Sequence, residues 1–135
     1  MSSATRSGHD GLLSGALANI LATLRDTRYG SVATGVEKAL RGATDQFLHD
    51  LGAHLRHEEE WIFPDLQASV PEIGPEIDRL RDEHRLLRLH ALDLAGRIRD
   101  GDKAGALETS REFLAALLSH IDRERKTVDA RLPQE

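Results

Sequence analysis

The chain has 135 residues, 39% of them hydrophobic, a net charge of −5 and no cysteine. That length suits one domain, spanning 1–135, with a core large enough to need no staples. The missing cysteines exclude disulfides, thiolate zinc sites, iron–sulfur clusters and cysteine nucleophiles, so any metal must be held by nitrogen and oxygen ligands. No basic block is present, so neither nucleic acid nor an anionic membrane surface is expected as a partner. No apolar run approaches the roughly 18–20 residues of a membrane span. The polar opening, residues 1–9, carries no apolar signal region, and a cytoplasmic location is expected.

Apolar residues recur every three or four positions and strand signals are lacking, which is the helical period. The first helix is expected at about 8–27, with Ser7 and Asp10 as a capping box and Leu13, Ala16, Leu17, Ile20 and Leu24 as its stripe. Gly30 follows its end. The second is expected at about 34–66, opened by Thr34 and Glu37. Its stripe is Val36, Leu40, Ala43, Phe47, Leu51, His54, Glu58 and Ile62, and Pro64 with the loop 70–75 ends it. The third, about 75–99, starts at Pro75 and faces Ile77, Leu80, His84, Leu87, Ala91, Leu94 and Ile98 one way. A break at 100–102 makes Asp102 an N-cap. The fourth, about 103–130, aligns Leu107, Phe113, Leu117, His120, Glu124 and Val128. Short connections favour an all-α, antiparallel up-down-up-down four-helix bundle.

The stripes contain polar residues. His54 and Glu58 lie one turn apart on the core face of the second helix, and His120 and Glu124 repeat this on the fourth. His84 sits in the third stripe and His9 near the start of the first helix. Burying such groups is costly unless something satisfies them, and a metal ion satisfies them together. Their heights agree. His9 and His54 lie roughly 27 and 30 Å from the break between their helices, and His84 and His120 roughly 24 and 27 Å from theirs. Nitrogen and carboxylate donors suit iron, manganese or zinc. Two bridging carboxylates with four imidazoles would fill about eight of twelve positions on two six-coordinate ions. That leaves room for a bridging oxo or hydroxo group and roughly one open position on each ion.

Three segments carry a family resemblance: His54-Leu-Arg-His-Glu58-Glu-Glu-Trp-Ile-Phe-Pro64, Glu83-His84, and His120-Ile-Asp-Arg-Glu124 with Leu132-Pro133 after it. In this order they resemble the signatures of the hemerythrin-like proteins, over nearly the whole chain. The resemblance implies a bundle holding two non-haem iron ions, with His9, His54, Glu58, His84, His120 and Glu124 as ligands. In that family such centres carry oxygen, bind nitric oxide, sense oxygen or redox state, or react with peroxide.

Two positions depart from the oxygen carriers. They place a second histidine four residues after the first on the third helix, where this chain has Arg88. They place an aspartate five residues after the histidine of the fourth, where this chain has Arg125. Those departures argue against reversible oxygen storage and for faster autoxidation, with peroxide or nitric oxide chemistry.

Other residues read as ordinary. His57 falls at the stripe boundary, His49 and His90 read as solvated, and so do Glu59 and Glu60, with Glu59 near enough to hydrogen-bond at the site. Trp61 is expected on the seam as core packing that shields the centre. The loop residue Tyr29 is assigned no role. Three functions remain open: a binder or sensor of a small diatomic ligand, with a redox or signalling partner protein; an enzyme with peroxidase, oxidase or nitric oxide reductase activity at the same centre; and a metal-free interaction bundle. Ferritin-like di-iron oxidases use Glu-x-x-His motifs, the reverse of the order here. A zinc hydrolase would show His-Glu-x-x-His, which is absent.

Overall fold

A computed structural model describes residues 3–26 and 34–128, with side chains from 11–25 and 37–128. Among them there are helices and no strand. The elements are α1 (Ser3–Asp26), α2 (Thr34–His57), a π-helical turn (Glu58–Ile62), α3 (Phe63–Ser69), a 3-10 turn (Pro71–Ile73), α4 (Gly74–Arg99) and α5 (Lys103–Thr127). The molecule is thus a bundle of four long helices, the second continued by the π turn and α3. Among the described residues, α1 packs mainly on α2 and α5, and α4 mainly on α5 and α2.

The helix ends follow local chemistry. Asp102 caps α5, its Oδ1 accepting from the Gly105 N–H at 2.9 Å, which satisfies one of the donors a helix start leaves orphaned. Gly101, at φ 74°, makes the left-handed step between α4 and α5 that costs glycine least. Pro75 lies in the first turn of α4, where its missing N–H is tolerated. α1 begins at Ser3, so its start is not at Ser7 as the capping box suggested. Gly30, Tyr29, Leu132 and Pro133 lie outside the described residues, as do the side chains of Ser7, His9, Asp10, Thr34 and Val36.

The second helix departs from expectation at Glu58. There the backbone widens by one residue, and the Phe63 N–H donates to Glu58 O, five residues back. In an α-helix Ile62 would share the face of Glu58. The extra residue hands that place to Phe63, which is fully buried, while Ile62 is only partly buried. Trp61, expected on the seam, is 62% exposed for the same reason. Pro64 does not end the helix. It falls in the first turn of α3, where a missing N–H does little harm, and the helix runs on to Ser69. Ala43 is also off the core: it lines a groove between α1 and α2, and Thr44 is buried instead.

The core is split in two. A long apolar cluster centres on Leu17, Phe47, Leu51, Leu87 and Phe113; a short one joins Phe63, Leu66, Ile77, Leu80 and Val128. Between them in chain order fall the buried polar residues Glu58 on the π turn, His84 on α4 and Glu124 on α5, with His120 one turn before Glu124, among the last residues of the long cluster. No described helix is long and apolar enough to cross a membrane.

Candidate metal centre

Each polar residue of this layer is delivered by the same alternation that builds the core. On α4, Leu80 and Leu87 flank His84 at helical spacing, so His84 shares their inward face. On α5, Leu117 does the same for His120, and Glu124 follows one turn on. Glu58 starts the π turn, a distortion found often at functional sites.

These four residues meet. One ligand atom from each of Glu58, His84, His120 and Glu124 lies within 4.8 Å of all the others, and all four side chains are almost wholly buried. His84 Nε2 is 3.1 Å from Glu58 Oε1, and His120 Nε2 is 3.2 Å from Glu124 Oε2. The two imidazoles stand edge to face, ring centres 4.8 Å apart. Despite these distances, neither Nε2 has a hydrogen-bond partner. Buried nitrogens left without a partner while carboxylate oxygens converge beside them are what a cation would repair.

The outer nitrogens of both rings are held. His84 Nδ1 meets Glu59 Oε2 at 2.6 Å, and His120 Nδ1 meets Glu83 Oε1 at 2.8 Å. Glu59 is therefore not a solvated charge. It turns toward α4, and Arg88 fixes it through two hydrogen bonds, at 2.8 and 2.9 Å. Glu83 is gripped by Arg123. A carboxylate on Nδ1 leaves Nε2 to present its lone pair inward, the arrangement common among metal-binding histidines.

On the protein's own charges alone, the layer already seeks a positive centre. Burial and the charge of His120 push His84 down to about 4, against the pull of Glu59 and Glu124. Burial also opposes a proton on His120, but the carboxylates of Glu124, Glu83 and Glu58 overcome it and raise that group to about 9. Burial works against the charge on Glu59 as well, but Arg88 and His84 outweigh it and hold its carboxyl below the usual range. The charge of His120 weighs against a second proton on His84, so the two imidazoles are pushed in opposite directions.

Of the six expected ligands the structure gathers four. His54 lies at the rim, its Nε2 3.5 Å from Glu58 Oε2. His9 belongs to α1, with its side chain outside the described residues. Arg88 and Arg125, at the two divergent positions, offer no ligand; Arg88 is engaged with Glu59 and Arg125 is exposed. His57 is a boundary residue, as expected, though its Nε2 is buried without a hydrogen-bond partner. His49 and Glu60 are exposed. His90 is not fully solvated: its ring stacks on Phe113, centres 5.6 Å apart. In the sequence Glu83 stands out only within the Glu83-His84 segment and Arg88 only as a divergent position; neither they nor Arg123 give a signal of holding the imidazoles, since they lie beside the stripes.

The sequence model of the hemerythrin HHE cation-binding domain matches residues 12–131. The chain belongs to this family. The match includes both histidine–glutamate pairs and His84, so the hemerythrin domain and the buried group coincide. No curated protein and no solved structure gives a significant match.

Proposed function

We propose that this hemerythrin domain is a non-haem di-iron protein that binds or senses dioxygen, nitric oxide or peroxide. Glu58, His84, His120 and Glu124 would hold the metal, with His54 at the rim and His9 from α1 completing the set. The observation that carries this reading is the convergence of four buried donors, two of them imidazole nitrogens with no other partner. Two carboxylates among three or four imidazoles suit a pair of ions bridged by oxo or hydroxo better than one ion. The reading takes the bundle as antiparallel, up-down-up-down, in keeping with the short turn between α4 and α5.

The iron pair would supply a redox-active centre able to accept a small ligand. The chain's own residues do the rest. Glu58 and Glu124 offset the charge of the cations, and His84 and His120 are pre-aligned by Glu59 and Glu83. The apolar clusters on either side exclude water, which strengthens each charge interaction within the layer. A groove lined by Leu13, Ala16, Phe47 and Ala53 reaches His54 and His57. Its volume, about 330 Å³, is at the small end for ligand sites, and its walls, largely apolar apart from Asp50 and the two histidines, suit an uncharged diatomic.

Arg88 favours reactivity over storage. Committed to Glu59, it brings no nitrogen to the centre, so fewer positions are filled by protein. An enzyme turning over peroxide or nitric oxide is the second reading on this ground, and a turnover assay with hydrogen peroxide separates the two. A cytoplasmic setting and a redox or signalling partner protein complete the proposal. The test is metal content with an absorption spectrum of the aerobically purified protein. About two irons per chain and near-ultraviolet bands are expected, and His54→Ala should lose most of the iron with helical content intact. A helical protein that takes up no iron would overturn the proposal.

A further inference from the structure

We propose that Arg88 and Arg123 are positioning residues, each clamping a carboxylate that holds one imidazole of the centre with Nδ1 protonated and Nε2 facing inward. The two assemblies repeat one design. Arg88 grips both oxygens of Glu59, and the oxygen shared with Arg88 Nη1 also meets His84 Nδ1. Arg123 binds one oxygen of Glu83 while the other meets His120 Nδ1.

The carboxylates come from neighbouring elements in relay. Glu59 follows Glu58 on the π turn and orients the histidine of α4. Glu83 precedes His84 on α4 and orients the histidine of α5. Consecutive helical residues point roughly 100° apart, so one of each adjacent pair faces the layer while the other faces the next helix.

The arginines answer a physical need. Glu59 and Glu83 sit at the partly exposed edge of the layer, where a lone carboxylate would rotate between water and the ring. The Arg88 fork fixes the plane of Glu59 through both of its oxygens, and Arg123 Nε holds one oxygen of Glu83 so that the other is left for the ring; a carboxylate so held accepts and the ring nitrogen donates. The ring then has one orientation and, when neutral, one tautomer, which lowers the reorganisation needed for a cation to bind. The position that supplies a ligating histidine in the oxygen carriers acts here through Glu59 instead.

The consequence for metal affinity rests on the proposed metal centre; the tautomer does not. Nitrogen-15 NMR of the metal-free protein near neutral pH reads the His84 tautomer directly. The wild type should show Nδ1 protonated and Nε2 bare. Arg88→Ala should give a mixture of tautomers and weaken ferrous-iron binding by about 10–100-fold, with helical content retained. Arg88→Lys, keeping the charge but losing the fork, should restore part of both. If Arg88→Ala does not fold, Arg88→Met, which keeps the aliphatic stem, is measured in its place. An unchanged tautomer together with iron affinity within about twofold of wild type would overturn the proposal. A wild type that binds no iron would defeat the metal reading, while the tautomer would still decide for or against the clamp.

Discussion

The long apolar cluster and the polar layer beside it are equally buried, but they are held together by different means. Phe47, Leu51, Leu87 and Phe113 are stable where they lie because burial itself is favourable. Glu58, His84, His120 and Glu124 are buried against a desolvation cost that only paired charges or a cation can offset. The first region makes the fold; the second is carried by it and, on the proposed reading, is completed by cations. Mutations should therefore have opposite signatures in the two.

The largest effect belongs to the apolar region. Phe113 is fully buried, packs edge-on against Phe47 and stacks with His90. Phe113→Ala should cost about 3–5 kcal/mol in denaturant unfolding of the metal-free protein, while the folded fraction still binds metal at wild-type stoichiometry. A loss of stoichiometry would show that the two regions are not separable.

Removing the metal should act next in size, and only through the layer. Chelation should lower stability by RT ln(1 + [M]/Kd), about 2.7 kcal/mol at a free metal concentration of 100 Kd. Denaturation midpoints measured with and without chelator read this difference directly. It should vanish in His84→Ala and persist in Phe113→Ala.

The comparison sharpens if the layer is made apolar. The double substitution Glu58→Met with His84→Leu should abolish metal binding yet leave the metal-free protein as stable as wild type, or up to about 4 kcal/mol more stable. A strongly destabilised double variant would mean that the polar layer, like the apolar cluster, is a source of stability in its own right.

The pH dependence of the metal-free protein should expose the same layer. His84 is held down to about 4, so its contribution is present above its ordinary value of 6.5 and is lost as pH falls through 4. His120 is raised to about 9, so its contribution is full below 6.5 and is lost as pH rises through 9. Stability should peak near pH 6.5 and decline on both sides, measured as denaturant midpoints across the range. A steady rise from acid to alkaline pH would contradict this. The smallest effect is at Trp61, whose exposure implies that Trp61→Ala changes stability by less than about 0.5 kcal/mol.

Much of this was legible in the sequence, because polar residues at core positions break a pattern that is otherwise strict. His84 between Leu80 and Leu87 is such a break, and so are Glu58, His120 and Glu124. The π turn was not legible. A reading at constant helical period keeps one phase, and the single residue added after Glu58 moves Phe63 into the core, Ile62 toward the edge and Trp61 out. The clamps were missed for a related reason. Glu59 and Glu83 are adjacent in sequence to inward-facing residues and so lie beside the stripe, where charges normally meet water. Their signal was subtle: a carboxylate next to an inward-facing residue, and an arginine four residues after His84 and three after His120.

The most direct test is X-ray absorption at the iron edge of the iron-loaded protein, in wild type and in His84→Ala. The wild type should show nitrogen and oxygen neighbours including imidazole scattering, and an iron–iron distance from a second ion, with the imidazole contribution reduced in the variant. A spectrum of hydrated iron, unchanged by His84→Ala, would contradict the claim that the buried layer exists to hold cations.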